Sequence, residues 1–405
     1  MARSKTKTNS NTTLDLSELE KSGFALLKDS TWASIDDRLP TMLPSIDWQL
    51  DGGLPFGRVV EVFAAEGVGK STFAVEVTRA ATQMNVPVVW MDVEGTTNRE
   101  KMEAAGIDSS KVLVKQPDPD APEEMSIEAV GEGIENAVKF FQSHNSPVVI
   151  IWDSIAATAA TKTLENDFDS QQPGIQAKAV TQALQKVTPL VTASKSILIG
   201  INQVRDKMGS VGPYKSYDTS GGHALKHVAS VRFQLGRREK KTRKSPTTGD
   251  TETIGQVVEF NLKKSKVSQP DTKRDAFLFG SYGFNQSVNT LWLAERLNLI
   301  EVKNHGSNGK TWDIPDENGE IKSYPYWDFL YELAENEDDY LDVIRPIFQK
   351  LVLNYFPIKF PPLENKTLSV LGIPLLKGID KLYKDKEKAE KETKEAESKE
   401  GKEEG

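Results

Sequence analysis

Apolar residues run almost unbroken through four short segments, "RVVEVFA" from Arg58, "VPVVWMDVE", "PVVIIWDS" and "ILIGINQ". Such runs predict strands covered on both faces, as in a parallel sheet, rather than half-exposed antiparallel ones. Between them "STFAVEVTRAATQM", "MSIEAVGEGIENAVKFFQSH" and "AKAVTQALQKVTPLVTAS" repeat their apolar positions at helical spacing. Strands alternating with helices predict an α/β fold with a mostly parallel sheet, its chemistry at the carboxyl ends of the strands. Residues 1–38 are polar apart from "LDLSELEKSGFALL", and after about Gly280 the pattern turns to "QSVNTLWLAERLNLIEV" and "YPYWDFLYELAENEDDYLDVIRPIFQKLV", read as helices of a small separate domain. The end, "KDKEKAEKETKEAESKEGKEEG", has no hydrophobic face and is expected to be disordered or at most a transient solvated helix.

The first strand runs into "FAAEGVGKST", which ends on Gly69, Lys70 and Ser71 in the order of a phosphate-binding loop. The P-loop pattern places a glycine where this chain has Ala64, a small residue that substitutes at modest cost if its φ stays negative. A strand before the loop and a helix after it supply the context: loop and helix-start N–H groups face the phosphates, aided by the helix dipole. Lys70 would neutralise the β and γ phosphates and Ser71 would hold Mg²⁺. Asp153 closes the run "VVIIWD", suiting a second acid for Mg²⁺, and Glu94 closes "VVWMDVE", suiting a carboxylate that orients the attacking water. Together they predict an ATP site.

Charge and composition narrow the class. The net charge of −8 conceals a segment, residues 195–244, that carries +9 while the rest of the chain carries −17. Concentrated positive charge is the footprint of a polyanion site, with a solvated basic surface as the alternative. No cysteine is present, so disulfides and thiolate metal sites are excluded. No apolar run reaches the roughly 18 residues of a membrane span. The polar start "MARSKTKTNSNTT" does not read as a secretory signal, so a cytoplasmic protein is expected.

The motifs "DGGLPFGRVVEVFAAEGVGKST", "MDVEGTTNREKMEAAGID", "VKQPD", "IIWDSIAA", "INQVRDKMG" and "SGGHALKHVASVRFQLGRR" follow one another as in the RecA recombinase family. Over roughly residues 31–310 the chain resembles a RecA-type recombinase, and its divergence suggests a phage-encoded member. The resemblance implies a RecA-like P-loop ATPase core over residues 39–280, an N-terminal oligomerisation segment over 1–38, a small C-terminal α/β domain over 281–383 and a disordered charged tail over 384–405. It implies a DNA-dependent ATPase, requiring ATP and Mg²⁺, that forms helical filaments on single-stranded DNA, pairs it with homologous duplex and exchanges strands. Single-strand-binding and mediator proteins are implied partners.

Carried over by position, the nucleotide site comprises Ala64, Ala65, Glu66, Gly67, Val68, Gly69, Lys70, Ser71 and Thr72, with Asp153 and Ser154 at the Walker B end. Lys70, Glu94 and Gln203 take the catalytic roles, Gln203 as γ-phosphate sensor, and Ser71 with Asp153 the metal. Asn98 and Lys101 stand where bacterial members usually have an aspartate and a tyrosine against adenine. Lys226, Lys264 and Lys266 match lysines that approach ATP across the subunit interface. Residues 164–174, with Pro173 and Gly174, match the first DNA-binding loop. Residues 204–221 match the second, which carries Arg205, Lys207, Met208, Gly209, Tyr214, Lys215, Tyr217 and Gly221, with Gly222 beside it. Its mixture of cations and aromatic residues suits non-specific single-strand binding. Phe24 and Leu26 fall near the family's N-terminal docking strand. The competing readings are a RecA-fold hexameric helicase or DNA motor ATPase, and a non-catalytic mediator; intact Lys70, Glu94, Asp153 and Gln203 oppose the latter.

Overall fold

The computed structural model describes residues 21–22, 37–165, 173–206, 217–219, 224–245, 247–306, 309–316, 319–356, 360 and 373–403. Residues Met1–Ile35 and Asp36–Gly405 form two separate units, and the second contains everything that follows. It opens with β1 (Arg38–Leu39), α1 (Pro44–Gln49) and β2 (Leu54–Pro55), then β3 (Arg58–Ala64), α2 (Lys70–Gln83), β4 (Val88–Asp92) and α3 (Arg99–Ala104). Next come β5 (Val112–Lys115), α4 (Ile127–Ser143), β6 (Val149–Asp153), α5 (Thr161–Glu165) and α6 (Pro173–Ala193). The core ends with β7 (Ile197–Asp206), β8 (Tyr217–Thr219), α7 (Ala224–Val228), β9 (Val231–Lys244), β10 (Thr251–Ser265) and β11 (Lys273–Phe279).

Among the described residues, β1 and β2 pair only with each other. The other strands make one sheet in the order β11-β10-β9-β3-β7-β6-β4-β5, with β8 paired to β7, parallel from β9 to β5 and antiparallel across β9, β10 and β11. The four apolar runs are its buried centre: β4 and β6 are buried at every position, as strands covered on both faces must be. Successive side chains feed opposite cores. Val60 and Val62 join Phe73 and Val77 of α2 on one face, and Val59, Ile150 and Trp152 join Ile134 of α4 and Leu184 of α6 on the other.

The C-terminal part is mixed rather than helical throughout. Only Gln286–Arg296 of the first stretch is helix (α8); its end turns into β12 (Glu301–Asn304), which pairs antiparallel with β13 (Lys310–Pro315), and β13 with β14 (Ile321–Pro325). The second stretch divides into α9 (Tyr326–Glu335) and α10 (Leu341–Tyr355), separated by a 3₁₀ turn at Glu337–Tyr340. Trp312 stacks on Tyr326, and both belong to the core that covers the α2 face of the large sheet. The charged run lies in α11 (Ile379–Glu403), helical where disorder was the first expectation. The side chains of residues 384–393 are all exposed.

Two boundaries move. The strand "VVWMDVE" stops at Asp92, so Glu94 lies two residues past it, on a turn. The strand "ILIGINQ" continues to Asp206, and residues 204–206 pair antiparallel with Tyr217–Thr219. The second expected DNA loop therefore stands on a two-stranded stem. A strand whose backbone finds a partner has reason to continue past its apolar run.

Candidate nucleotide site

Adjacency in the sheet brings several candidates to the carboxyl ends of the central strands. Ala64 pairs with Gln203 across β3 and β7, and Asp92 with Asp153 across β4 and β6. Ala64 is the last residue of β3, in extended backbone with no positive φ, which is why alanine serves where the P-loop pattern has glycine. The positive φ falls at Gly67 (68°) and Gly69 (110°). Gly69 opens α2, and a Cβ there would lie 3.0 Å from Leu278.

Lys70 is 8% exposed and folds back to donate to the carbonyls of Ala64 (3.2 Å) and Ala65 (2.9 Å). Burial lowers its pKa, against the opposing pull of Asp153, Glu94 and Glu66. Asp153 is pushed up to about 6, chiefly by burial, with the Ser71 hydroxyl bond and Lys70 opposing and Glu94 and Asp92 adding. Glu94 Oε1 accepts from the Ser154 hydroxyl at 2.8 Å. Asp153, Glu94 and Glu66 thus all act electrostatically on the one ammonium, leaving negative charge in surplus.

The residues fit Mg²⁺ with a nucleotide. No cluster of three or more His, Cys, Asp or Glu suited to a metal occurs among the described residues. Mg²⁺ needs none here, because it keeps several waters and binds through one or two protein oxygens plus substrate phosphates. Ser71 and Asp153 supply that set.

The turn carrying Glu94 is held by groups the sequence reading passed over. Asp92, 1% exposed, accepts the N–H of Thr96 (3.1 Å) and Thr97 (2.7 Å) and the Gln116 amide (2.8 Å). Gln203 is tied through its N–H to Asn202 Oδ1 (2.9 Å), and Asn202 Nδ2 donates to the buried Glu61 (3.1 Å), which also receives Arg232. The "MDVE" spacing was a signal for Asp92; a partner more than a hundred residues away left none for Glu61.

The remaining candidates divide. Asn98 caps α3 by accepting the N–H of Lys101 at 3.0 Å, so its side-chain oxygen is already engaged, and Lys101 is exposed. Lys226, Lys264 and Lys266 come together away from the phosphate loop. Lys264 Nζ donates to the carbonyls of Lys226 (2.6 Å) and His227 (3.0 Å), the Lys266 N–H to Ser230, and the Ser230 N–H to Val59, at the start of β3. They lie at the opposite end of β3 from Ala64.

Among the described residues, several cations of the basic run are paired with carboxylates. Arg232 pairs with Glu61, Arg238 with Asp275, Lys241 with Glu239 and Arg243 with Glu252, while Lys195 faces Asp37. Much of its +9 is answered by carboxylates, many of them from elsewhere in the chain. Lys207, Met208, Gly209, Tyr214, Lys215, Gly221 and Gly222 lie outside the described residues, as do Phe24, Leu26 and residues 166–172. Arg205 and Tyr217 fall on the stem, Pro173 and Gly174 at the start of α6.

The family described as the RecA N-terminal domain matches residues 21–284. This chain belongs to the RecA family. Protein RecA of Chloroflexus aggregans is 30% identical over 266 residues, covering 65% of this chain and 70% of its own length. Protein RecA of Thermotoga petrophila is 29% identical over 285 residues (70% and 75%), and that of Deinococcus radiodurans 28% over 292 residues (72% and 74%). The matched region of this RecA-family chain ends just past β11, so the C-terminal helices and small sheet lie beyond it. No helix among the described residues is long and apolar enough to cross a membrane.

Proposed function

We propose that this chain is an ATP-dependent recombinase, which forms helical filaments on single-stranded DNA and catalyses homologous pairing and strand exchange. The observation that carries the reading is the convergence of Lys70, Ser71, Asp153, Glu94 and Gln203 at the carboxyl ends of four adjacent strands. ATP hydrolysis is mostly positioning and charge stabilisation, and each group has a part. Lys70 exchanges the Ala64 and Ala65 carbonyls for phosphate oxygens. Ser154 holds one oxygen of Glu94, leaving the other to orient water against the γ-phosphate. Mg²⁺, held through Ser71 and Asp153, would neutralise developing phosphate charge. Gln203 senses the γ-phosphate, and the stem at residues 204–206 and 217–219 continues from it into the second DNA loop.

Lys226, Lys264 and Lys266 are assigned to a neighbouring subunit's ATP, a role supported by their place at the far end of β3 from their own loop. DNA contacts are assigned to residues 164–174 and 204–221. The test is strand exchange between circular single strands and linear duplex with ATP and Mg²⁺, beside electron micrographs of the same mixture. Joint molecules and open helical filaments are expected. Closed rings without strand exchange would favour a helicase or DNA motor and overturn the proposal.

A further inference from the structure

Arg237 differs from the other arginines of the β9–β10 hairpin. Arg232, Arg238 and Arg243 each face a carboxylate: Glu61, Asp275 at 3.0 Å and Glu252 at 2.6 Å. Among the described residues no carboxylate lies within ion-pair distance of Arg237. Its Nη2 donates instead to the carbonyl oxygen of Gly67, in the phosphate loop, at 2.8 Å. From the neighbouring strand, Gln256 Nε2 reaches the carbonyls of Gly67 and Val68, both at 3.4 Å. Arg237 also lines a cleft of about 350 Å³ with Ala64, Ala65, Glu66, Val204 and Gln234. A Cβ added at Gly67 would already touch Arg237, at 3.5 Å from Nη2.

A phosphate loop works by turning its N–H groups toward the ligand, and its carbonyls must then find partners elsewhere. Gly67 finds a cation. A guanidinium has five N–H donors and cannot be deprotonated, so its charge persists while one donor holds the loop. A charge left unneutralised beside the loop acts on a bound anion in proportion to that anion's own charge. Gln256 braces the same Gly67 carbonyl, and that of Val68, without charge, which separates bracing from electrostatics.

We infer that Arg237 is a positioning residue of the nucleotide site that braces Gly67 and, through its charge, favours the triphosphate over the diphosphate. The inference rests on residues 65–71 binding a nucleotide. The test uses the full chain and measures ATP and ADP affinity by displacement of a fluorescent nucleotide, for wild type, Arg237→Gln, Arg237→Lys and Gln256→Ala. Arg237 is exposed and screened, so Arg237→Gln is expected to weaken ATP about tenfold and ADP about threefold. Arg237→Lys should keep the wild-type ratio of the two affinities, and Gln256→Ala should weaken both by one small factor. Raising salt to about 0.5 M should shrink the Arg237→Gln effect on the ratio. Equal losses for ATP and ADP in Arg237→Gln, or no loss, overturn the inference. Failure of wild type to bind either nucleotide would overturn the nucleotide reading with it.

Discussion

Asp153→Asn should make the nucleotide-free protein more stable and the nucleotide-bound protein relatively less so. Asp153 is 5% exposed, and its pKa is pushed from 3.8 to about 6, mainly by burial. At about 1.4 kcal/mol per unit, holding this carboxylate ionised costs about 3 kcal/mol at neutral pH. Asparagine removes that charge and still accepts from Ser71, but Lys70 loses a counter-charge, so a gain of about 1–3 kcal/mol is expected. For an acid with a raised folded-state pKa, the folded protein holds a proton that the unfolded chain has lost between 3.8 and about 6. Wild-type stability from this group therefore falls as pH rises through that window, and the cost is complete above it. Burial also raises Asp47 to about 8 and Glu76 to about 7, with the same sign, so the difference between variant and wild type isolates Asp153. Chemical or thermal unfolding at pH 7.5 and pH 4 measures it: the variant's advantage should nearly vanish at the lower pH. Mg²⁺ and ATP at about a hundred times Kd should stabilise wild type by about 2.7 kcal/mol and the variant far less. A ligand-free variant less stable than wild type at pH 7.5, or an advantage independent of pH, would refute this electrostatic account.

Lys70→Ala should nearly abolish ATP turnover, whereas Glu94→Gln should keep ATP binding and lose hydrolysis by at least about a hundredfold; wild-type turnover in Glu94→Gln would remove Glu94 from the water-positioning role. Ser154→Ala, which frees the Glu94 carboxylate, should lower turnover by about tenfold with little change in ATP affinity, read as a kcat effect without a KM effect. Replacing Lys264 and Lys266 together by Ala should abolish DNA-stimulated hydrolysis while each chain still binds nucleotide; undiminished stimulation would remove them from the interface. Ending the chain before Lys384 should leave the unfolding transition unchanged, because the described side chains beyond that point are exposed, and a large loss of stability would show that the run packs.

The continuous apolar runs determined the buried parallel strands, because a strand covered on both faces must be apolar at nearly every position. Gly69, Lys70 and Ser71 marked the turn from β3 into α2, and Asp153 ended its strand as expected, because the elements carrying them are specified by neighbours in sequence. The C-terminal sheet was harder to see: β12 and β14 are short and largely exposed, so their residues carry no strong alternation. Glu94 reads from the sequence as the end of a strand but lies on a turn, which is set by Asp92 taking the Thr96, Thr97 and Gln116 groups. The basic run shows the limit most clearly. Its charge was legible as a sum, yet only the fold decided that Arg238 faces Asp275, Arg243 faces Glu252 and Arg237 faces the carbonyl of Gly67. Periodicity is a local property of the chain, whereas an ion pair depends on which distant carboxylate the folded sheet brings within a few ångströms.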